Sequence, residues 1–218
     1  MGVHWKTKQT QKNLVGKSTL AHQCSQLSPV IQNIAQEVAC PSGEQITNGG
    51  FETGDFTGWT RDPTDPNHWQ VLTSDVRGGA PPEGSYLAQF KALDTDPTGP
   101  IGCPRATGTL QQDSTNTVAY ECFVATSTFQ VRTKWDTDLC SPVNPAVWKV
   151  EVLYTDDTST TVDLTGDPQN EWVTHNLKTV LESGKTVKGI KFTATVDRCG
   201  GPDIGLTEVT IDACTLVP

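Results

Sequence analysis

Alternation of apolar and polar residues dominates the second half of the chain. It is clearest at 129–135, 148–154 and 190–196, where every second residue is hydrophobic except Thr133. A period of two is typical of strands that bury one face. Shorter runs of the same kind lie at 68–72, 85–90, 117–124, 171–177 and 204–216. Clusters of Gly, Pro, Asp and Asn separate the runs, so residues 45–218 are predicted to form an all-β domain, a jelly-roll β-sandwich.

A helical pattern precedes the domain. Ser28 and Pro29 are typical of the N-cap and the first turn of a helix. An apolar stripe with helical spacing follows at Val30, Ile31, Ile34, Ala35 and Val38. The sequence therefore predicts an N-terminal extension, residues 1–44, with one short helix that ends near Cys40. Its stripe either packs on its own domain or docks on a neighbouring subunit as an assembly arm.

Charge divides the chain at the same point. The 218 residues carry 16 Lys and Arg against 25 Asp and Glu, a net charge of −9. Residues 1–44 hold four lysines and two glutamates, which leaves 12 basic and 23 acidic residues in the predicted domain. An acidic chain lacks the basic surface that nucleic-acid binding needs, and no apolar run approaches the roughly 18 residues of a membrane span. We therefore expect no nucleic-acid partner and no membrane span.

Seven cysteines are many for a protein in a reducing compartment, and none has the spacing of a metal or redox motif. They are Cys24, Cys40, Cys103, Cys122, Cys140, Cys199 and Cys214. We expect disulfides within the subunit, and the positions of Cys140 and Cys199 in turns favour each of them as a disulfide-bonded residue, with the pairing left open. The odd number leaves at least one thiol free or bonded to another molecule, for example from Cys24 or Cys40 to the next subunit.

Disulfides also predict an oxidising location. The first 23 residues carry Thr10, Gln11, Asn13 and Gln23 where a secretion signal has an apolar core. We therefore expect an extracellular position, or one on the cell or spore surface, that is reached without a recognisable signal peptide.

The segment ITNGGFETGDFTGW, residues 46–59, resembles the opening of jelly-roll modules related to carbohydrate-binding module families 4, 9 and 22. Residues 69–71, 80–86 and 209–216 are similar to the second, third and closing strands of these modules. The resemblance spans residues 45–218, and it departs from the family where Ala213 replaces a second Asp and Cys214 a core Val. It implies the jelly-roll fold and a structural calcium ion.

By this resemblance the calcium ion lies between the first and last strands. Glu52 and Asp212 would supply carboxylates and Gly50 a backbone carbonyl, which are the hard oxygen ligands that Ca²⁺ prefers. Two acids on neighbouring, otherwise apolar strands would also repel each other unless a cation joined them. The alternative is that both acids are exposed on edge strands.

Glycan-binding members of the family stack sugar rings on aromatic side chains. Four tryptophans occupy apolar registers or motif positions that indicate the core instead: Trp59, Trp69, Trp135 and Trp148. Trp172 and Tyr86 remain as candidate glycan contacts. The chain has no Gly-x-Ser-x-Gly, His-Glu-x-x-His or complete phosphate-loop motif, so we expect no enzyme.

Two functional hypotheses remain. The first is a structural subunit that assembles with copies of itself, through Val30, Ile31, Ile34 and Val38 of the arm, into an extracellular fibre or layer stabilised by disulfides and calcium. It accounts for the arm and for the odd cysteine. The alternative is a carbohydrate-binding module with an adhesin-like or lectin-like role and a polysaccharide partner.

Overall fold

The computed structural model describes residues 40–65, 67–74, 79–93, 95–96, 105–123, 127–135, 147–168, 170–197 and 204–213. The predicted arm helix with Val30, Ile31, Ile34 and Val38 lies outside the described residues. So do Trp5, Cys24, Cys103, Cys140, Cys199 and Cys214, and the side chains of Trp135 and Asp212 are likewise not described. No helix in the described ranges is long and apolar enough to cross a membrane.

The described ranges contain short strands and one long pair. The strands are β1 (Gly43–Glu44), β2 (Thr60–Asp62), β3 (Trp69–Leu72), β4 (Leu87–Phe90), β5 (Arg105–Ala119), β6 (Thr128–Trp135), β7 (Val147–Tyr154), β8 (Ser159–Asp163), β9 (Val173–Asn176), β10 (Thr186–Asp197) and β11 (Ile204–Ala213). Two 3-10 turns, Tyr120–Cys122 and Leu177–Val180, follow β5 and β9.

These strands form two antiparallel sheets. One has the order β3-β4-β11-β6-β9 with β1 beside β11, and the other has the order β2-β5-β10-β7-β8. Strands distant in sequence are neighbours, as in β4 with β11 and β5 with β10, which is typical of a jelly roll. The predicted β-sandwich is confirmed.

The core lies between the sheets and is built from the inward residues of the alternating runs. Its largest fully buried side chains include Trp69, Trp148, Tyr154, Phe51, Phe90, Phe129 and Phe192. Trp59 is buried as well, so the prediction that Trp59, Trp69 and Trp148 belong to the core is confirmed. Most strands bury one face and keep polar residues on the other, whereas β4 is buried at all four of its positions.

Several strands differ from the sequence expectation. β5 begins well before the predicted run at 117–124, and β1, β2 and β8 have no counterpart among the predicted runs. The alternation pattern does not predict the first part of β5, because two of its inward positions are not hydrophobic. Gly108 leaves room for the Phe90 ring, since a Cβ there would lie 2.3 Å from Phe90 Cε2. Gln112, 4% exposed, bonds instead to the backbone of Thr47.

The described part of the N-terminal extension is joined to the domain in two ways. Gly43 and Glu44, which the sequence analysis assigns to the extension, pair with Ala213 and Asp212 of β11. Cys40 forms a disulfide with Cys122, 82 residues away. The expectation of a bridge within the subunit is confirmed, whereas a bridge from Cys40 to another subunit is wrong because the Cys40 sulfur is already bonded. Five cysteines remain, so at least one has no partner in the same chain.

Candidate functional site

The family-like motif forms a compact loop between β1 and β2. Asn48 and Phe51 have positive φ angles of 52° and 59°, and Gly54 and Gly58 have 75° and 87°. A bulky residue such as Phe rarely adopts this backbone region, so the loop is held there by its surroundings. The repeated glycines of the motif are therefore explained by the tight path of the chain.

Asn48 organises this loop through its side chain and its carbonyl. Its Oδ1 accepts from the Thr53 backbone N–H at 3.1 Å, and its Nδ2 donates to the Asp55 carbonyl at 3.0 Å. The Asn48 carbonyl accepts from Trp59 Nε1 at 3.2 Å. Hydrogen bonds to Asn48, near the start of the loop, thus hold both the middle and the end of the loop.

Aromatic packing fixes the loop to the core. Phe51 is fully buried and stacks on Trp59 with ring centroids 5.4 Å apart. The Phe56 ring meets the edge of Phe51 at 6.0 Å. Glu52 holds the next segment, because its Oε1 accepts from the backbone N–H groups of Ser85 at 2.8 Å and Tyr86 at 3.2 Å. The loop therefore holds the side chains on its outer side in fixed positions.

An open cleft lies beside this loop, at the sandwich edge where β2 and β3 are the outer strands. Its volume is about 380 Å³, and it is lined by Gly54, Asp55, Phe56, Arg61, Trp69, Gln70, Val71 and Leu72. The Arg61 guanidinium lies 4.6 Å from the centroid of the half-buried Phe56 ring, a cation–π contact. Arg61 Nη1 also donates to the Trp69 carbonyl at 3.4 Å, which bridges β2 to β3.

The cleft combines donors, acceptors and an aromatic surface. Asp55 is exposed, and hydrogen bonds from Thr53 and Thr57 hold the pKa of its carboxyl below the ordinary value. The carboxylate is therefore charged at neutral pH and accepts hydrogen bonds. Arg61 donates from a planar fork, and the Gln70 amide both donates and accepts. Such a set suits a neutral ligand that is rich in hydroxyl groups.

A second, smaller cavity of about 260 Å³ contains two of the predicted calcium ligands. Gly50 and Glu52 line it together with Glu44 and Glu83. Glu44 Oε1 accepts from the backbone N–H groups of Ile46 and Ile211, and Glu83 pairs with Arg132 at 2.9 Å. The oxygen donors fit Ca²⁺ in kind and charge. In the part of the chain that the structure describes, however, no three metal-binding side chains converge, and the Asp212 carboxylate lies outside that part.

The structure separates the two predicted glycan contacts. Tyr86 precedes β4 and packs against the core, with its ring 3.5 Å from the position of a Cβ on Gly54, a residue that lines the cleft. Trp172 is half-buried and precedes β9, the opposite edge of the same sheet. Three strand spacings, about 14 Å, lie between β4 and β9. The two aromatics therefore do not form one platform.

The cleft residues Phe56, Arg61 and Gln70 were missed by sequence reasoning. Phe56 lies inside the family-like motif, but only Trp and Tyr residues are candidate sugar contacts in the sequence analysis. Arg61 and Gln70 belong to strands of three and four residues, which carry almost no periodic signal. Their proximity depends on the pairing of the two sheets, which no local pattern encodes.

Two histidines contact aspartates elsewhere. His68 Nε2 lies 2.9 Å from Asp96 Oδ1, and Asp96 also accepts from the Leu93 backbone N–H. His175 Nε2 lies 2.7 Å from Asp167 Oδ2. The two pairs join residues 28 and eight positions apart in the chain, and neither pair lines the cleft. We interpret both as ties between loops and strands.

No family model matches the chain, and no curated protein does. Solved structures with a similar fold include the carbohydrate-binding module TmCBM61, determined with β-1,4-galactotriose: 19% identity, 79% of this chain and 100% of that chain covered, TM-score 0.46. The C-terminal family 22 module of Clostridium thermocellum Xyn10B matches at 15% identity, 83% and 99% coverage and a TM-score of 0.38.

An enzyme is also among the similar structures. The arabinose-bound α-L-arabinofuranosidase MgGH51 matches at 13% identity, with 78% of this chain but only 26% of that chain covered, and a TM-score of 0.43. Carbohydrate-binding modules thus recur among the matches, in agreement with the resemblance of the opening motif. At these identities and TM-scores the matches identify no ligand and no binding site for this chain.

Proposed function

We propose that this chain is a non-catalytic carbohydrate-binding module whose ligand occupies the cleft between β2 and β3. The proposal is supported by one observation above all, the Arg61 guanidinium held over Phe56 in a cleft that Asp55 and Gln70 also line. A sugar ring offers hydroxyl groups that both donate and accept, and these side chains match both roles. The cleft volume is within the range of small-ligand sites.

Arg61 makes the principal contact in this proposal. The Phe56 ring and the Trp69 carbonyl fix its guanidinium before a ligand arrives, so little side-chain entropy is lost on binding. Its two parallel N–H groups face adjacent hydroxyls of one sugar, and the Asp55 carboxylate accepts from a third hydroxyl. Phe56 positions Arg61 and adds apolar surface.

The test is a titration of the full chain with a panel of soluble oligosaccharides, followed by calorimetry on the best ligand. Arg61→Ala removes charge-assisted hydrogen bonds and should weaken binding roughly tenfold to a hundredfold. Arg61→Lys should recover only part of the loss, because an ammonium lacks the planar fork. Phe56→Leu should weaken binding less than Arg61→Ala.

Trp172→Ala is the matched control, since Trp172 is a sequence candidate at the opposite edge of the sheet. It should leave affinity unchanged. Loss of binding in Trp172→Ala with normal binding in Arg61→Ala would place the ligand at the other edge. Failure of the wild-type chain to bind any glycan would contradict the function itself.

Calcium is a separate proposal for the cavity that Gly50 and Glu52 line. Glu44, Glu52 and Glu83 bring three negative charges to it, and Arg132 neutralises one of them through Glu83. A cation that binds the folded state alone adds about 2.7 kcal/mol of stability at a hundredfold excess over its Kd. Thermal melts with calcium and with chelator test this, and Asp212→Ala should abolish any difference.

The fibre hypothesis and the extracellular location remain proposals too. The Cys40–Cys122 bond supports an oxidising compartment, because such bonds seldom persist in the cytosol. Assembly through the arm would need a contact other than a Cys40 bridge. Electron microscopy of the full chain tests it: regular fibres would favour the structural subunit over the binding module.

A further inference from the structure

β8 is one of the edge strands of the two sheets, and no described strand pairs with its outer side. β8 pairs only with β7, with Ser159 opposite Leu153, Thr161 opposite Glu151 and Asp163 opposite Lys149. Ser159, Thr161 and Asp163 are exposed. An exposed, regular edge is a template for adding another strand.

The hydrogen bonds that flank β8 show which backbone groups point outward. Tyr154 N–H donates to the Thr158 carbonyl, and Leu164 N–H donates to the Trp148 carbonyl. In an antiparallel ladder hydrogen-bonded residues alternate, so Thr160 and Val162 also bond to β7. Ser159, Thr161 and Asp163 therefore direct their N–H and carbonyl groups away from the sheet.

β8 lacks the usual devices that protect an edge. Natural sheets use Lys, Pro, bulges or very short strands there. β2 has three residues and is followed by Pro63, and β3 and β9 have four residues each. β8 has five residues, Ser-Thr-Thr-Val-Asp, with no Pro and no basic residue, and its Thr and Val favour extended structure.

We propose that β8 pairs antiparallel with β8 of a second copy of this chain. A two-fold axis at Thr161 sets Thr161 opposite Thr161 of the second copy, and Ser159 opposite Asp163 of the second copy. These are the three residues whose backbone groups point outward, so each facing pair exchanges hydrogen bonds. Asp163 meets a hydroxyl and not a second carboxylate, so like charges do not face each other.

This register distinguishes the second copy from other occupants of the edge. The strand is complementary to itself in hydrogen bonding and in charge, and pairing joins the two five-stranded sheets into one. A five-residue strand pair is small beside a standard interface of about 1,600 Å². Self-association is therefore weak, and it rises with concentration across the micromolar to millimolar range.

The test is sedimentation equilibrium of the full chain as wild type, as Thr161→Lys and as Thr161→Glu. Each variant places like charges at the two-fold axis and should weaken self-association at least tenfold, while far-UV circular dichroism stays unchanged because Thr161 is exposed. An equimolar mixture of the two variants should associate again, since opposite charges then face each other. Only pairing of residue 161 with itself predicts this rescue.

Hydrogen exchange provides a residue-level check. As concentration rises, the amides of Ser159, Thr161 and Asp163 should gain protection, while those of Thr160 and Val162 are protected at every concentration. A chain that stays monomeric throughout overturns the proposal. So does protection of Thr161 without rescue in the mixture, because another segment, such as the N-terminal arm, would then cover the edge.

Discussion

The two lateral edges of the sandwich are built differently. At one edge β2 and β3 are three and four residues long, and a loop tied by Asn48 and Phe51 stands beside them. At the other edge β8 is a regular five-residue strand with no loop laid along it in the described ranges. An edge with a loop beside it presents side chains from several segments to a ligand. An edge strand without one presents its backbone N–H and carbonyl groups. The first suits a small polar ligand, and the second suits another strand.

The difference begins with residue types. The first edge is built from residues that leave the strand conformation: Asn48 and Phe51 at positive φ, and several glycines. These let the chain fold back and stack Phe51 on Trp59. β8 contains Thr and Val, which favour extended backbone, and neither glycine nor proline, so it continues as a regular strand. Packing at the first edge should therefore carry more of the stability.

The largest expected effect tests this difference in stability. Phe51→Ala removes a fully buried ring that contacts Trp59 and Phe56, and it should lower the free energy of unfolding by about 3–5 kcal/mol. Val162→Ala in β8 removes a half-buried side chain and should cost about 1 kcal/mol. Urea denaturation measures both. Equal losses would mean that the two edges contribute alike.

A slightly smaller loss of stability is expected on removal of the Cys40–Cys122 disulfide, which belongs to neither edge. Replacing both Cys40 and Cys122 by Ser opens a loop whose ends are 82 residues apart, and it should cost about 2–5 kcal/mol. Mass mapping without reductant first verifies the bond in the wild type. If the double variant is as stable as the wild type, the start of the domain is held by the pairing of β1 with β11 and not by the bond.

Two glycine-to-alanine substitutions add the same methyl group near each edge, and they compare how closely the two edges are packed. In Gly108→Ala, a β5 position beside β2, the added methyl meets Phe90 Cε2 at 2.3 Å and should destabilise the fold by about 1–3 kcal/mol. Gly166→Ala, in the turn after β8, meets no atom within 4 Å and should change stability by less than about 0.5 kcal/mol. A tolerated Gly108→Ala would show that Phe90 can move aside.

The strand that contains Gly108 shows why the alternation of residues predicts some strands of this fold and not others. β6 and β7 mostly alternate apolar and polar residues, with Thr133 and Leu153 among the exceptions, and their bounds lie within one residue of the predicted runs. In β5 the inward positions include Gly108 and Gln112, whose partners Phe90 and Thr47 lie on other elements. The information that makes these positions inward is therefore distant in sequence.

The candidate site was less predictable than the fold for the same reason. The motif at 46–59 correctly indicates a special loop, and Glu52 does hold a neighbouring segment. Arg61 and Gln70 reach one cleft only because two edge strands of different sheets lie side by side. No residue spacing within 61–70 predicts that proximity. The aromatic candidate Trp172 lies at the opposite edge.

The smallest expected effect concerns the turn that leads into β8. Asp156 accepts from Lys185 Nζ at 2.6 Å and from Thr158 Oγ1 at 2.7 Å, and these contacts, Lys185 first, lower its pKa to about 2 from an ordinary 3.8. Because the folded pKa is depressed, this contribution to stability is present above pH 4 and is lost as the pH falls towards 2. Both groups are exposed enough that the effect is modest.

Asp156→Asn isolates this contribution from the other carboxylates. The difference in unfolding free energy between wild type and variant should shrink as the pH falls from 5 to 2. Lys185→Met should remove most of the same pH dependence, because the ammonium is the main cause of the shift. Hydrogen exchange at the turn before β8 should be faster in Asp156→Asn than in the wild type at pH 5 and equally fast at pH 2, whereas the Asn48 loop, whose Asp55 is present in both proteins, should exchange alike in both at each pH. A pH-independent difference, or a change at both edges in the variant, would mean that the ion pair does not hold this edge in place.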